Sequence, residues 1–588
     1  MPDLDAAIAQ LDADMTRAVA EARIPGSAWG VVADGRLVHT GSAGTARIGE
    51  DRQPDADTVF RIASMTKSFT AATVLLLRDE GRLRLDDPVA AHVPALAGWR
   101  PRTADAAAIT IRDLLSMASG LATDDPWGDR QQGLPLDDFD RLLAAGPALA
   151  LPSGAVFEYS NLGYGILGRV ITNVAGVEYR EVVRDRLLAP LGMTATAYLE
   201  PDVPEERLAH GYVRFDGEPV REGRDAYGAL AAMGGIFTSV RDLGTWVAGF
   251  VDAFPARDDP EGPHPLRRAS RREMQQAHRT FGAEIEAHAP DAPPTVSTGG
   301  YGLGLVNMSD PDLGTIVTHG GGYPGFGSFM AWHPATGFGV VGLGNLRYAP
   351  MREPVSRALA TLVRSELRPR RRPVPVPQAV RAREAVDALL ANWDDAAADR
   401  LFAMNVDLDR PRELRRKAVA QAVAAVGGGL RPDDERRPPA SGTPAEIVWW
   451  LRGELGWLRV RILVTPEPEP RVQTLEVTSV VDPSSSLVDS AQRLLDGAAA
   501  GANPPAGVAF AASLDTETYA RSAAAAAGRF GTMRLSLPTA SDGSTTATWD
   551  LATERGGRAQ LRLALDDEGR IREAALLAAE RVAPAEGW

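Results

Sequence analysis

Apolar side chains recur every three to four positions along residues 6–22, which predicts an amphipathic helix. The next stretch, SAWGVVADGRLVHTGSAG (27–44), reads as two strands joined at Asp34-Gly35, a dipeptide suited to a tight hairpin. Helical periodicity returns in KSFTAATVLLLRDEG (67–81) and is closed by Gly81. Much later, TIVTHGG (315–321), GSFMAWHP (327–334) and FGVVGLGN (338–345) predict three short strands before a helix at about 352–366. Strands at both ends with helices between them predict an α+β domain whose sheet is closed by its own termini.

The pattern breaks at LRPRRRPVPVPQ (367–378), a Pro/Arg stretch expected to be extended and solvated, and so a linker. Beyond it the chain repeats itself. Trp449, Glu454 and Gly456 recur as Trp549, Glu554 and Gly556, each set leading into an alternating strand, Val460/Ile462/Val464 or Leu561/Leu563/Leu565. Arg471-Val472 and Arg570-Ile571 then open a further strand in each copy, and Ala-rich helical patterns (380–391 and 412–426; 488–500 and 516–528) precede both. The expected organisation is a domain over 1–366, the linker, and two tandem α+β repeats over 379–482 and 487–588, split near ProSerSerSer (483–486). Neither repeat carries a catalytic constellation.

At 588 residues the chain has length for two to five domains at roughly 100 to 200 residues each. A net charge of -14 disfavours nucleic acid and anionic membrane surfaces as partners. No apolar run approaches the ~20 residues that span a bilayer, and the acidic N-terminal stretch lacks the basic start and apolar core of a secretory signal. A cytoplasmic location is the expectation. With no cysteine, disulfides, thiolate nucleophiles and Cys-ligated metals are excluded. The lysine count changes the picture further: of 63 basic residues only Lys67 and Lys417 are lysine. Arginine stays protonated in a protein, whereas a buried lysine amine can be tuned toward neutrality and act as a base.

Lys67 belongs to Ser64-Met65-Thr66-Lys67 at a predicted helix start, where a spacing of three puts hydroxyl and amine on one face. A desolvated lysine can take the proton that makes serine a nucleophile. With two lysines and 26 serines, S-x-x-K arises by chance about 0.1 times in such a chain. The plainer alternative is an N-capping serine with a solvated lysine. A second element, Tyr159-Ser160-Asn161, precedes a helix starting near Leu162. Alternate residues outside a helix point the same way, so phenol and amide can share a site, Tyr159 to relay a proton and Asn161 to hold the amine or a carbonyl. Against this stands a buried tyrosine beside an Asn161 helix cap. The third element is His319-Gly320-Gly321-Gly322, whose glycines let a substrate backbone approach and whose Gly322 amide could join that of Ser64 around an oxyanion. A Gly-rich turn beside a surface histidine is the alternative there.

Taken in this order and at these separations, the three elements resemble the serine β-lactamase-like family, which includes class C β-lactamases, D-Ala-D-Ala carboxypeptidases, D-aminopeptidases and esterases. LLSMASGL (114–121), PSGAVFEYSNLGYGILG (152–168), AAMGGIFTSVRDL (231–243) and YGLGL (301–305) support the resemblance, which covers about residues 10–365. It implies an antiparallel sheet flanked by helices, with a helical subdomain and the site in the cleft between. By this resemblance Ser64 is the nucleophile, Lys67 and Tyr159 share acid/base duty, and Asn161 positions substrate. His319 and Gly321 line the far wall, and the Ser64 and Gly322 amides form the oxyanion hole. Two departures matter. Many β-lactamases of the family carry Lys-Thr-Gly where this chain has His319-Gly320-Gly321, and a His-Thr-Ser-Gly turn where it reads Met117-Ala118-Ser119-Gly120. The acids that follow, Asp124, Asp125 and Asp129, would lie near the cleft mouth, either as a solvated acidic loop or as an ammonium-binding group.

The leading expectation is a serine hydrolase without cofactor or metal, acting on small esters or amides. β-Lactam or D-Ala-D-Ala peptide hydrolysis is the alternative substrate class. A catalytically silent binding or regulatory protein is the alternative of another kind. A metallohydrolase fits poorly, because the eight histidines show no ligand spacing such as H-E-x-x-H.

Overall fold

The computed structural model describes residues 4–223, 226–286, 295–310, 313–365, 373–501, 505, 507–554 and 559–578. The chain separates into two compact units, one reaching to residue 370 and the other from 371 onward.

The first unit is built on a nine-stranded sheet in which a strand from the N-terminal stretch of the unit pairs with one from its C-terminal stretch. Its strands are β1 (Gly26–Ala33), β2 (Arg36–Gly44), β3 (Arg279–Thr280), β4 (Glu284–Glu286), β5 (Thr295–Tyr301), β6 (Val306–Asp310), β7 (Gly314–Tyr323), β8 (Phe326–His333) and β9 (Phe338–Gly344). They run in the order β2-β1-β9-β8-β7-β6-β5-β3, with β4 also paired to β5. Ser27 faces Gly344 across the antiparallel β1–β9 pair, which closes the sheet as the strand pattern implied. The β1–β2 hairpin turns at Asp34 and Gly35, both with positive φ, the backbone a two-residue turn of this hand requires.

Every residue of β1 is buried, which is why its sequence reads as a nearly continuous apolar run. One face carries Trp29, Val31 and Ala33 into a core formed with α1 (Leu4–Glu21) and the C-terminal helix of the unit, Arg352–Arg364. The other face carries Ala28 and Val32 toward the larger core that holds α2 (Thr66–Asp79) and α3 (Asn161–Ala175). Helix α2 is buried from Thr66 through Leu77. A helix covered on all sides must satisfy its own polar groups, and Ser68 and Thr73 donate to the carbonyls of Met65 and Phe69, at 2.8 Å each.

In the second unit two four-stranded antiparallel sheets follow one another, Arg431–Pro432, Glu446–Arg452, Gly456–Val464 and Val472–Val481, then Met533–Ser541, Thr546–Thr553, Ala559–Leu565 and Ile571–Ala578. Each packs its own helices around its own apolar core, with Trp449 and Trp549 buried in corresponding positions. The two sheets are joined by Arg437, stacked 4.0 Å from the Trp450 ring and 4.8 Å from Trp457, and donating to the Pro538 carbonyl at 2.6 Å. Of the recurring residues, Gly556 lies outside the described residues, as does 579–588 of the second repeat. So does 367–372 of the expected linker; its last two residues are not extended, because a helix begins at Pro377, where proline lacks only an N–H that has no intrahelical partner anyway.

Since each unit has its own cores, residues 1–370 expressed alone should fold. A cooperative thermal transition followed by circular dichroism on that fragment checks this; a fragment without one would show that its stability depends on the rest of the chain.

Candidate active site

Ser64 sits in a single 3₁₀ turn, Ala63–Met65, immediately ahead of α2. The residue before it, Ala63, holds φ +48, the left-handed region in which a side chain is strained. That conformation swings the chain from the short strand Val59–Arg61 into the helix and leaves Ser64 half-buried at the turn.

One helical turn on, Lys67 is fully buried. Its Nζ lies 2.9 Å from Ser64 Oγ, 2.7 Å from Asn161 Oδ1 and 2.9 Å from the Met233 carbonyl. Three acceptors account for the three hydrogens of an ammonium. Burial pushes its pKa down to about 8, against the opposing pull of Asp125, Asp129 and Asp124. At pH 7 about one amine in ten is then neutral. A neutral amine can keep Asn161 and Met233 as acceptors and turn its lone pair to the Ser64 hydroxyl. Nothing in the side-chain pattern marks Met233, because its contribution is a backbone carbonyl presented by the short helix Ala231–Gly234.

Tyr159 lies with its ring centroid 4.9 Å from Lys67 Nζ. Burial holds its hydroxyl pKa well above the usual tyrosine range, with the Ser64 hydroxyl pulling the other way, so at neutral pH it is a phenol. Asn161 is the first residue of α3 rather than its cap. The cap is Ser160, whose hydroxyl accepts from the Gly163 amide at 3.2 Å. Freed of capping, the Asn161 side chain accepts from Lys67 and donates through Nδ2 to Asp125 Oδ1 at 2.7 Å.

Each of the three acids after the Met117 turn is tied to another segment by hydrogen bonds. Asp124 accepts the backbone N–H groups of Asn161 and Leu162, at 2.6 and 2.8 Å, and so reinforces the start of α3 from another segment. Asp129 is 5% exposed and accepts from the Tyr348 hydroxyl at 2.6 Å. Asp125 alone of the three is exposed, and it holds Asn161. The demand for acceptors at a helix start and beside a buried amide places carboxylates here, a demand set by residues more than 30 positions away in sequence.

His319 is 3% exposed, not a surface residue. Its Nδ1 donates to the Gly320 carbonyl at 2.7 Å, which leaves Nε2 to accept from the Tyr301 hydroxyl at 3.1 Å. Burial first, and the nearby Lys67 charge second, push its pKa down to about 3, so the ring is neutral throughout the neutral range. Tyr301, from the YGLGL segment, also meets Tyr159 edge-on at 6.3 Å. The glycines are explained by the protein's own packing. A side chain on Gly321 would begin 2.1 Å from the Ile62 carbonyl oxygen, and one on Gly322 2.5 Å from the Tyr348 ring. Pairing of β7 with β6 ends at Thr318↔Val306, so the edge of β7 beyond it faces the Ile62–Ser64 turn instead of a strand. The structure therefore brings Ser64, Lys67, Tyr159 and Asn161 together directly, and sets His319, Gly321 and Gly322 along the strand that bounds them.

The family model for beta-lactamase matches residues 4–364. The chain belongs to the beta-lactamase family. Among relatives, Protein flp of Staphylococcus aureus strain MW2 is 28% identical over 345 residues, 58% of this chain and 64% of that protein. The chain thus spans less than two thirds of the length of the flp proteins it matches. The D-alanyl-D-alanine-carboxypeptidase/endopeptidase AmpH of Escherichia coli K12 is 28% identical over 324 residues, 53% of this chain and 77% of that one. Among solved structures, the octameric penicillin-binding protein homologue from Pyrococcus abyssi shares the fold, with a TM-score of 0.50 at 17% identity over 97% of this chain and all of that one. The stretch matched to the beta-lactamase family contains every residue of the site described above. Among the described residues no cluster of three or more His, Asp or Glu could hold a metal ion, and no helix is long and apolar enough to cross a membrane.

Replacing Asp124 by alanine removes two hydrogen bonds to otherwise unpaired amides at the start of α3. Urea unfolding of Asp124→Ala should show a loss of about 1–3 kcal/mol. A midpoint indistinguishable from the parent protein would mean that water replaces the carboxylate without cost.

Proposed function

We propose that this chain is a serine hydrolase that forms an acyl-enzyme at Ser64 on small esters or amides. The observation that carries the reading is a fully buried amine, its pKa pushed down to about 8, 2.9 Å from the Ser64 hydroxyl. In its neutral form Lys67 accepts the Ser64 proton as Oγ adds to the substrate carbonyl. The developing oxyanion lies toward the Ser64 and Gly322 amides. Tyr159, a phenol at neutral pH, passes a proton to the leaving group and is reprotonated from Lys67. Water then attacks the acyl-enzyme, giving its proton to the same pair and releasing the acid and the free serine. Asn161 holds the amine in line throughout.

Two features around the serine support this substrate class. A neutral, buried His319 offers no fixed positive charge to a substrate carboxylate, which weakens the case for β-lactams and D-Ala-D-Ala peptides. The three carboxylates that could have bound an ammonium are already engaged by Asn161, Leu162 and Tyr348, which favours neutral substrates over aminoacyl amides. Peptidase activity on D-Ala-D-Ala ends remains the second reading, favoured by the likeness to the AmpH carboxypeptidase. A comparison of kcat/KM over short-chain esters, D-amino acid amides, nitrocefin and D-Ala-D-Ala peptides decides between them. If nitrocefin or the peptide exceeds every neutral ester by more than tenfold, about 1.4 kcal/mol of transition-state preference, the ester reading is wrong.

Ser64→Ala should abolish both turnover and labelling by a fluorophosphonate while leaving the fold intact. A parent protein that neither turns over nor labels would instead mark a silent binding or regulatory protein.

Because the base is a neutral lysine, kcat/KM should climb nearly tenfold per pH unit below about 8 and level off above it, with Tyr159 still protonated there. Lys67→Arg should lose that limb together with most of its activity, since arginine keeps its proton. A rate independent of pH between 6 and 9 in the parent protein would remove Lys67 as the base.

A further inference from the structure

The tyrosine above Gly322 is the feature that neither the catalytic residues nor the packing of the core requires. Tyr348 is 52% exposed, yet its position is fixed at both ends. Its backbone N–H is bound at the β7–β8 turn, 3.1 Å from the Phe326 carbonyl, and its φ is +50, the strained left-handed conformation. Its ring stands over Gly322, close enough that a side chain there would start 2.5 Å from it. At the far end its hydroxyl donates to Asp129 Oδ2 at 2.6 Å. Asp129 adjoins Gly128, which packs against the Asn161 side chain. Tyr348 therefore runs from the sheet wall of the site, at Gly322, to the helical wall, beside Asn161.

A second link lies alongside. Glu222, 8% exposed at its side chain, accepts from Arg347 Nε at 2.8 Å and pairs with Arg130 at 3.3 Å. Residues 129 and 130 of the helical wall are thus tied to 347 and 348 of the sheet wall, once through a phenol and once through a carboxylate held between two guanidinium groups. A lone exposed tyrosine would be free to swing; one bolted by backbone, hydroxyl and a parallel ion-paired link is not.

We infer that the Tyr348–Asp129 contact is a strap across the cleft beside Gly322, and that it limits the enzyme to esters or amides with small groups at that end of β7. This inference rests on the reading of Ser64 as the acylated residue. Tyr348 acts on selection, its hydroxyl being committed to Asp129. Loss of its ring should open the cleft to bulkier groups, whereas loss of the hydroxyl alone should loosen it.

The test is kcat/KM for Tyr348→Ala and Tyr348→Phe on two series of p-nitrophenyl and alkyl esters. In one the acyl chain grows from acetate to octanoate; in the other the alcohol grows from methyl to benzyl with the acyl group held as acetate. The rate constant for labelling of Ser64 by fluorophosphonates with short and long tails is followed alongside, and circular dichroism checks that each variant is folded. In Tyr348→Ala the ratio of the largest to the smallest member should rise at least tenfold in one series, with Tyr348→Phe between it and the parent. A ratio that changes less than tenfold in both series would overturn the strap, even with Ser64 reacting normally. If Tyr348→Ala does not fold, the Tyr348→Phe ratio decides: unchanged from the parent, it rejects the strap. Failure of the parent protein to react at all would reject the acyl-enzyme reading itself, and the strap with it.

Discussion

A lysine amine with no access to water is the constraint around which the site is organised. Moving an ammonium out of water costs several kcal/mol even after the surroundings relax, and an unpaired one would drop its proton instead. Here Ser64, Asn161 and the Met233 carbonyl supply three acceptors, and Asp124, Asp125 and Asp129 supply negative charge at longer range. Neither contribution wins outright. Desolvation is the larger, so the pKa falls to about 8, but the carboxylates stop it from falling further. Both forms of the amine are therefore populated near neutrality, the condition under which one group can take a proton and return it.

The same constraint reaches outward through the fold. Asn161 can serve the lysine because Ser160 and Asp124 have taken over the capping of α3, and because Asp125 fixes which way its amide points. The Met233 carbonyl is delivered by a short helix whose preceding carbonyl, that of Ala232, accepts from Thr70 of α2 at 2.6 Å. Thr70 is in turn 2.7 Å from the Tyr179 hydroxyl, which lies 2.5 Å from that of Tyr198. On the other side, the bare backbone at Gly321 lets β7 press against the Ile62 carbonyl, and Ser328 donates to that same oxygen at 2.9 Å. The turn that carries Ser64 is thus gripped from the sheet while its lysine is gripped from the helices.

How much of this the sequence discloses depends on distance along the chain. Ser64 and Lys67 are legible because a helical period of 3.6 makes a spacing of three into contact, and Asp34-Gly35 because a two-residue turn has a local chemistry. The period-two alternation around Val460 and Leu561 marks strands for the same reason. The partners of Asp124, Asp129 and His319 are not legible, since they lie 37, 219 and 18 residues away. An acidic run with a tryptophan in it looks solvated until α3 is seen to need its carboxylates. His319 looks like a surface residue until Tyr301 and the sheet enclose it. The glycines after it suggest room for a substrate, whereas the atoms nearest Gly321 and Gly322 belong to Ile62 and Tyr348.

The bias of the chain toward arginine sharpens the meaning of Lys67. Of 63 basic residues 61 are arginine, and the protein does bury them: Arg61, Arg268 and Arg271 are each less than 5% exposed. Burial of a cation is therefore no reason to choose lysine, because arginine is less strongly hydrated and holds its charge there. The other lysine, Lys417, is exposed, where either residue serves. What distinguishes position 67 is the arrangement of its acceptors. Ser64, Asn161 and Met233 converge on a single atom, which suits the three hydrogens of an ammonium but not the planar fork of a guanidinium. An ammonium so placed, with its pKa near 8, can become an amine without any of its neighbours moving, and the acceptor it then offers points at the Ser64 hydroxyl. Shape and proton affinity select the same residue, and only the second of these requirements is chemical in purpose.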